Sequence, residues 1–445
     1  MRTINKNNTP LILACKEGLE KVALKLLEHP KECVLYKVNK SGYTALSMAC
    51  KNSLSKVALK ILEYPEKCSI GEVCENRNTA LIWACNNKMK DVALKILEYP
   101  KECKPGKVNK YNKTAFNYAC SEKLEKVTLK LLEYPVDCYV NKVDNNGNTP
   151  LILACKNGLE KTSLIILKHI KKSTLYQVDY NNRTALVYAC MKKLEEVALK
   201  ILKHPKECNI GKIDNDGSTA FMWACSSGFE KASLKILEYP EECKLNQINK
   251  NNCNGFECAC DSKLEEVVLK ILDSNQKNKD YIKSYGNVFV RVCYNSLEKA
   301  ALKMLEYPEQ CKLHKIYDGA GTALMWACKK GLEEVALKIL EYPEDCNLDH
   351  TTKSSHNALY YARLKNLKSV VMKIRGIRVK NEQVFPLYIK NQCVICWEDS
   401  NKYYCIPKCK HYICICKECN VYQLDKCSLC RNKIDHDTIV PLSIT

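Results

Sequence analysis

Cysteine and histidine are concentrated near the C-terminal end of this sequence, in pairs whose spacing suits a metal ion. Three C-x2-C pairs and one C-x-H pair are formed by Cys393 and Cys396, Cys409 and His411, Cys416 and Cys419, and Cys427 and Cys430. Zn2+ prefers tetrahedral thiolate and imidazole donors, and a C-x2-C turn lets two sulfur atoms reach one ion at about 2.3 Å. Eight donors predict two Zn2+ ions, and a segment with so few apolar residues needs them to fold.

The order of these donors resembles the RING finger. The resemblance implies a cross-brace, in which Cys393, Cys396, Cys416 and Cys419 hold one zinc and Cys409, His411, Cys427 and Cys430 hold the other. Four residues separate His411 from Cys416, where RING fingers commonly have two or three. Cys414 would shorten that gap but would spoil the next C-x2-C spacing, so it stays the substitute for Cys416.

A RING finger implies an E3 ubiquitin ligase, which binds a ubiquitin-charged E2 enzyme and holds the thioester ready for attack by a substrate lysine. The catalytic gain is positioning, without a nucleophile on the RING. Three residues match positions that contact E2 or ubiquitin in the family: apolar Ile395 between the first two cysteines, Leu424 in the second zinc loop, and Arg431 after the last cysteine. Ser428 replaces the proline that the family usually has there.

The cluster is most similar to the RING of inhibitor-of-apoptosis proteins, in which a short apolar tail pairs two copies. Here the tail carries Ile439, Val440, Leu442 and Ile444. The resemblance implies a RING-mediated homodimer, and a frayed tail is the alternative.

A repeat precedes this cluster and must position it. The motif Thr9-Pro10-Leu11-Ile12-Leu13-Ala14-Cys15 returns in steps of 35 residues, with one step of 33 between Asn254 and Asn287. It begins again at Thr44, Thr79, Thr114, Thr149, Thr184 and Thr219, and in degraded form at Asn254, Asn287, Thr322 and Asn357. In each of the eleven units, apolar residues at helical spacing predict two short helices with a turn between them and a long polar loop after them.

Within one unit, glycine and proline indicate where the helices end. Gly18 follows the first helical segment, and Pro30 follows the second, in which Leu19, Val22 and Leu26 share a face. A single helix pair cannot bury its apolar face, so stacked neighbours must cover it. We therefore predict an all-α repeat solenoid.

The pattern resembles the ankyrin repeat over residues 1–374, with two departures. The histidine that usually follows T-P-L is replaced, for example by Ile12 and Ser47, and a loop with Pro30 and Cys33 replaces the usual turn. We expect three domains: an ankyrin repeat solenoid at 1–374, a basic linker at 375–390, and a RING-type zinc finger with an apolar tail at 391–445. The arrangement is similar to ankyrin–RING ubiquitin ligases and to repeat-rich proteins of giant DNA viruses of amoebae.

Two cysteine columns and one aromatic column follow the repeat. The cysteine columns begin with Cys15 and Cys33, and we interpret them as core packing, because no His or acidic residue recurs beside them at ligand spacing. The aromatic column contains Trp83, Tyr118, Tyr188, Trp223, Trp326 and Tyr361. Aromatic side chains either line a recognition groove or pack between adjacent units, and the sequence leaves both open.

The charge of the chain belongs to its repeats. Of the net charge of +20, residues 391–445 contribute 7 basic and 6 acidic residues, which leaves 63 basic and 44 acidic residues in 1–390. This excess favours acidic partners or nucleic acid, although lysine on solvated helix faces is the simpler interpretation. We expect no membrane span, because the longest apolar runs are far below about 18 residues. Cysteine usage without an export signal predicts an intracellular, cytoplasmic protein, in the host cytoplasm if it is viral.

These patterns favour a RING-type E3 ubiquitin ligase that binds a protein substrate on its ankyrin repeats and recruits E2 and ubiquitin with its RING. The alternative is a scaffold or sequestering protein in which the RING is only a structural zinc module. Nucleic-acid binding by the basic repeats is a third and weaker hypothesis.

Overall fold

The computed structural model describes residues 8–74, 76–134, 140–274, 288–317, 321–381, 403–405, 415–416 and 440–442. Contacts group the chain into two compact units, Met1–Val267 and Val268–Thr445, and each is described by itself. The described residues contain eleven consecutive helix pairs, as the sequence predicts. We call the two members of each pair the first helix and the second helix of a repeat.

The first unit contains seven complete helix pairs and the beginning of an eighth. The pairs are α1 (Pro10–Lys16) with α2 (Glu20–Leu26), α3 (Ala45–Lys51) with α4 (Ser55–Ile61), α5 (Ala80–Asn86) with α6 (Lys90–Ile96), α8 (Ala115–Ser121) with α9 (Glu125–Leu131), α10 (Pro150–Lys156) with α11 (Glu160–His169), α12 (Ala185–Met191) with α13 (Glu195–Ile201), α14 (Ala220–Ser226) with α15 (Glu230–Ile236), and α17 (Gly255–Asp261) with α18 (Glu265–Ser274). First helices stack on first helices, from α1 on α3 to α14 on α17, and second helices stack in the same way.

The second unit repeats this stacking. Its pairs are α19 (Val288–Tyr294) with α20 (Glu298–Met304), α22 (Ala323–Lys330) with α23 (Glu333–Ile339), and α24 (Ala358–Leu364) with α25 (Lys368–Asn381). Helix α25 continues past residue 374, into the segment for which the sequence predicts a basic linker. Strands β1 (Ile316–Tyr317) and β2 (Gly321–Thr322) form an antiparallel hairpin before α22.

A threonine begins most first helices. Its side chain accepts a hydrogen bond from the backbone N–H three residues later, as Thr9 does from Ile12 and Thr149 from Ile152. This satisfies one of the donors that a helix leaves unpaired at its start. At Thr44 and Thr114 the bond is reciprocated by the side chains of Ser47 and Asn117, which stand where the ankyrin pattern usually has histidine and complete a capping box.

A residue in the left-handed backbone region ends the first helix of almost every repeat. Gly158 and Gly228 take this conformation, with φ of +76° and +79°. Other repeats place a residue with a side chain in the same position, for example Lys123 and Lys193 with φ of 58° and 59°. Glycine is therefore favoured but not required at this turn.

The proline that follows the second helix in eight of the eleven repeats has a second role that the sequence did not predict. The second helix ends before it, and in three repeats the proline then begins a four-residue helix: α7 (Pro100–Cys103), α16 (Pro240–Cys243) and α21 (Pro308–Cys311). Proline suits the first helical position because its φ is preset and its missing N–H would have no partner there. The predicted polar loop thus contains a helical turn that buries a cysteine.

The two cysteine columns pack in the core, as predicted. Every described member is buried, from Cys15 to Cys328 in the first column and from Cys33 to Cys346 in the second. Cysteines of the second column donate their thiol to a carbonyl, as Cys33 does to Leu26 at 3.1 Å. Burial raises the pKa of Cys15 and of Cys103 to about 12, so these thiols stay protonated at neutral pH.

Three short strands lie in the C-terminal segment. Strand β3 (Tyr403–Cys405) pairs antiparallel with β4 (Ile415–Cys416) on one side and with β5 (Val440–Leu442) on the other, so the order is β4-β3-β5. In the described part of the chain, no helix has both the length and the apolar character needed to cross a membrane.

Candidate functional site

One polar side chain organises the loop before each first helix in most repeats of the first unit. In six loops it is Asn39, Asn109, Asp144, Asp179, Asp214 or Asn249, and its Oδ1 accepts hydrogen bonds from the backbone N–H groups two and four residues later. For Asp179, these donors are Asn181 at 2.9 Å and Arg183 at 3.1 Å. Asp and Asn stabilise turns by bonding to their own backbone in this way. Each loop is thereby held in one conformation.

The second oxygen of the same aspartates reaches the aromatic column of the first helices. Asp179 Oδ2 accepts a hydrogen bond from the hydroxyl of Tyr188 at 2.6 Å, and Asp214 Oδ2 accepts one from Nε1 of Trp223 at 3.1 Å. Burial, and then the bond to Asp179, raise the pKa of Tyr188. The loop and the helix that follows it are therefore fixed to each other through one carboxylate.

A cation from a neighbouring repeat, or from the end of the previous first helix, meets each of these buried carboxylates. Arg183 Nε donates to Asp214 Oδ2 at 2.9 Å, Lys156 Nζ lies 3.5 Å from Asp179, and Lys113 Nζ lies 3.8 Å from Asp144. Arg183 also pairs with Asp216 through Nη2. A buried carboxylate requires such partners, because an unpaired buried charge is strongly unfavourable. We call the three pairs the ion-pair ladder.

The aromatic column packs between repeats, which is one of the two interpretations that the sequence left open. Tyr188 and Tyr361 are buried, and Trp83, Tyr118 and Trp223 are half-buried. The guanidinium of Arg183 lies 5.9 Å from the ring of Tyr188 and 5.7 Å from that of Trp223, so one cation contacts the aromatic residues of two successive repeats. These aromatic side chains therefore pack beneath the charged residues of the loops.

The repeat of Trp83 departs from this arrangement. Its loop begins with Cys74, where other loops have Asp or Asn. Among the described residues, the buried indole N–H of Trp83 has no acceptor. Lys51 lies over its ring at 5.8 Å, so the cation is kept although the carboxylate is absent.

The second unit has its own aromatic and basic cluster. Tyr294 and Trp326 meet edge to face with ring centroids 4.7 Å apart, and Lys329 lies 4.6 Å from the centre of the Trp326 ring. His356 stacks on the half-exposed Tyr360 with a centroid distance of 3.9 Å. Of these residues, Trp326 of α22 stands in the register of the aromatic column, whereas Tyr294 lies at the end of α19 and His356 lies in the loop before α24.

Among the described residues of the first unit, three large apolar side chains are exposed within two residues of the Asn or Asp that organises their loop, and sequence reasoning did not single them out. Val34, Tyr36 and Tyr176 are also exposed, but they lie three or more residues before that Asn or Asp. Tyr111, Tyr180 and Ile248 are 48%, 66% and 56% exposed. They follow no strict column, since they occupy different positions in their loops, and only the packing of neighbouring repeats shows that they remain uncovered. We call these residues the loop anchors.

The predicted zinc ligands fall almost entirely outside the described residues. Of the eight, Cys416 belongs to β4, whose backbone is described, while Cys393, Cys396, Cys409, His411, Cys419, Cys427 and Cys430 lie outside. The substitute Cys414 and the predicted E2 and ubiquitin contacts Ile395, Leu424 and Arg431 lie outside as well.

The donor set itself fits zinc. Seven thiols and one imidazole in four closely spaced pairs are the donors that a tetrahedral Zn2+ prefers. Strands β3 and β4 pair antiparallel, and Cys409 with His411 lies between them in the sequence. Within the described ranges, no group of three or more Cys, His, Asp or Glu side chains is arranged to hold a metal ion.

Comparison with known proteins identifies the repeats. Residues 130–214 match the family model for ankyrin repeats in three copies. The ankyrin repeat domain of Bcl-3, described as a unique member of the IkappaB protein family, is 21% identical with a TM-score of 0.36; the match covers 52% of this chain and 98% of that one. At this TM-score the likeness adds nothing to the family match. No curated protein matches the chain. Residues 130–214 thus match ankyrin repeats, and helix pairs of the same kind recur along the described part of the chain.

Proposed function

We propose that this protein is a RING-type E3 ubiquitin ligase whose ankyrin repeats bind the protein substrate. The observation that carries the proposal is the run of eight Cys and His donors at RING spacing after an array of ankyrin repeats. The repeats supply a rigid protein-binding surface, since their loops are held by internal hydrogen bonds and by the ion-pair ladder. A preorganised surface loses little entropy on binding.

Zinc, when bound, would hold the C-terminal module in one fold. The residues proposed to bind the ions are Cys393, Cys396, Cys416 and Cys419 for one site, and Cys409, His411, Cys427 and Cys430 for the other. The binding of E2 and ubiquitin would then depend on side chains at the surface of this module.

Three side chains are proposed to contact E2 and ubiquitin. Ile395 and Leu424 would offer an apolar patch to E2, and Arg431 would bridge E2 and ubiquitin, because a guanidinium can donate to two acceptors at once. Their contribution is orientation: holding the charged E2 in one conformation raises the effective concentration of the thioester at a substrate lysine.

The direct test is autoubiquitination by the purified full-length chain, loaded with zinc, across a panel of E2 enzymes. We expect ubiquitin chains with at least one E2, and a loss of about tenfold or more in rate for Ile395→Ala and for Arg431→Ala. Val394→Ala and Lys433→Ala are matched controls, because they remove a neighbouring apolar and a neighbouring cationic side chain.

Zinc content is measured on the same preparations by mass spectrometry under non-denaturing conditions. Two ions per chain together with chain formation that depends on Ile395 and Arg431 would support the ligase. Two ions per chain without ubiquitin chains in the presence of any E2 of the panel would contradict the ligase. The zinc module would then have only a structural role.

The second candidate function is a scaffold that sequesters a partner without modifying it. The ankyrin repeats alone are sufficient for it, and Ser428 together with the long spacing from His411 to Cys416 favours it. It predicts partner capture by the repeats that is unchanged when Arg431 is replaced by Ala.

The apolar tail is proposed to pair two copies through the RING. Deletion of 438–445 should then halve the mass of the full-length chain in light scattering. Strand β5 of the tail pairs with β3 of its own chain, so the deletion is checked for intact zinc content first. An unchanged mass with two zinc ions bound would contradict the homodimer.

A ligase of this kind works where charged E2 enzymes are present, and we therefore propose that the protein acts in the cytoplasm.

A further inference from the structure

The ion-pair ladder of the first unit is polarised. The carboxylates of Asp144, Asp179 and Asp214 have no exposed side-chain surface, whereas their partners Lys113, Lys156 and Arg183 remain 24%, 31% and 14% exposed. Each pair therefore points its negative end inward and its positive end to solvent. At these three pairs a molecule that approaches the face meets N–H donors, and the one exposed carboxylate beside them, Asp216, is itself paired with Arg183 and Lys250.

A cation accompanies each loop anchor on the same face. Lys110 Nζ lies 5.0 Å from the ring centre of Tyr111, and Lys156 Nζ lies 5.0 Å from that of Tyr180. Lys250 follows Ile248 by two residues and is 68% exposed. The two tyrosine anchors thus stand beside a positive charge, whereas Lys250 is near Ile248 in the sequence and pairs with Asp216 at 3.2 Å.

The spacing of the anchors suits an extended chain. Tyr111, Tyr180 and Ile248 belong to every second loop along the first unit. Neighbouring repeats pack about 8–10 Å apart, so successive anchors are separated by roughly 20 Å. An extended peptide covers this distance with about six residues.

We propose that this face, from Lys110 to Lys250, binds an extended acidic segment of a partner protein that carries apolar residues at intervals of about six. The inference rests on the proposed role of the repeats in binding protein and names the class of segment that they recognise. Carboxylates of the segment accept from Lys113, Lys156 and Arg183, and its apolar residues contact the loop anchors.

A nucleic acid fits this face less well. The ladder offers one cation per repeat, at about 10 Å, whereas phosphates follow one another at about 3.4 Å along a nucleic-acid strand. Point-like charges beside apolar anchors favour a peptide.

The test measures fluorescence anisotropy with the full-length protein and a fluorescein-labelled random copolymer of Glu and Tyr. A copolymer of Lys and Tyr and an oligothymidylate serve as comparison probes. We expect saturable binding of the Glu–Tyr copolymer only. The double variant Tyr111→Ser with Tyr180→Ser should weaken it about tenfold, and Lys110→Gln with Lys250→Gln should weaken it and reduce its salt dependence.

Matched controls replace the same residue types elsewhere. Tyr307→Ser removes a tyrosine that is 48% exposed after a second helix, and Lys161→Gln with Lys231→Gln removes exposed lysines of α11 and α15. All these positions are at the surface, so the thermal midpoint should not change. Equal binding by the anchor variants and the controls would overturn the inference, as would no binding of the Glu–Tyr copolymer, or binding of oligothymidylate as tight as that of the copolymer.

These outcomes are separable from the ligase proposal. Cys393→Ser with Cys396→Ser should abolish ubiquitin transfer and leave copolymer binding unchanged. Ubiquitin transfer that persists in a chain unable to bind the copolymer would overturn this inference alone.

Discussion

Asp179 combines four interactions in one side chain. It accepts hydrogen bonds from the backbone N–H of Asn181 and Arg183 and from the hydroxyl of Tyr188, and it lies 3.5 Å from Lys156 Nζ. Since its carboxylate is fully buried, each of these donors would lose its partner without gaining water. The residue therefore links a loop, a helix and the preceding repeat.

We expect Asp179→Ala to lower the free energy of unfolding by about 3 kcal/mol, because it leaves several buried donors and the Lys156 charge without an acceptor. Urea denaturation followed by circular dichroism measures the loss. Asp216→Ala is the matched control: this carboxylate is half exposed, and exposed pairs contribute about 0–1 kcal/mol. Equal losses for the two variants would show that the buried hydrogen bonds and ion pair of Asp179 contribute no more to the free energy of unfolding than an exposed ion pair does.

The repeat motif predicts the caps of the helices but not every residue within them. The threonine column predicts where first helices begin, and the structure places the capping bonds there. The aromatic column is visible in the sequence, but whether Tyr188 is buried or exposed depends on Arg183 and Asp179 of the neighbouring loop. No local pattern contains that information.

At the scale of elements, two glycines with nearly equal φ differ in what a side chain at their position would contact. Comparing substitutions at the two positions therefore distinguishes the cost of a left-handed backbone from the cost of a steric clash. Gly147, in a loop, has φ of +78°, and Gly158, after α10, has φ of +76°. A Cβ at Gly158 would meet no atom within 4 Å, whereas one at Gly147 would lie 2.3 Å from the carbonyl oxygen of Val178 in the next loop.

We expect Gly158→Ala to cost about 1 kcal/mol, from the left-handed backbone alone. Gly147→Ala should cost at least about twice as much, because the loops of two repeats must also move apart. Thermal or urea unfolding of the two variants checks the order. A larger loss at Gly158 would mean that the contact between loops contributes nothing.

The converse substitution should stabilise the chain. Lys193 adopts φ of 59° at the turn after α12, where glycine would avoid the strain of a side chain in the left-handed region. Lys193→Gly is expected to raise the free energy of unfolding by about 1 kcal/mol. Lys192→Gly is the control, since Lys192 has φ of −96° and gains nothing from glycine; a gain at both positions would point to a charge effect.

At the scale of the whole molecule, the cysteine columns predict sensitivity to alkali. Burial raises the pKa of Cys15, Cys103 and Cys208 to about 12 and that of Cys68 to about 11. In the unfolded chain a thiol loses its proton near pH 8.5. The contribution of these thiols to the free energy of unfolding is therefore constant below about pH 8.5 and falls between that value and the folded pKa. In this range the thiol is protonated in the folded state and has lost its proton in the unfolded state, so rising pH favours unfolding.

Each such thiol lowers the free energy of unfolding by about 1.4 kcal/mol per pH unit in this window. Since both columns contribute, we expect the repeats to unfold steeply above about pH 9, as followed by circular dichroism across pH. The double variant Cys15→Ala with Cys103→Ala should be less stable at pH 7 but should show a slope smaller by about 3 kcal/mol per pH unit. An unchanged slope would mean that these thiols do not control alkaline unfolding.

The sequence by itself determined the period, the type and the order of the helices, because each repeat of about 35 residues carries its own apolar face and turn signals, with threonine or asparagine at the cap position of the first helix. It also determined the role of the cysteine columns, since a buried small thiol needs no partner. The zinc ligands and the residues for E2 and ubiquitin stay predictions from the sequence.

Only the tertiary structure decided which polar and aromatic side chains form a surface. The pairing of Arg183 with Asp214, and the exposure of Tyr180 beside the buried Tyr188, depend on atoms from adjacent repeats. The proline found after most second helices could equally end one helix or begin another, and the structure shows both, because its fixed φ suits the first position of a helix. Local patterns specify helices within one repeat, whereas burial and charge pairing arise only when repeats stack.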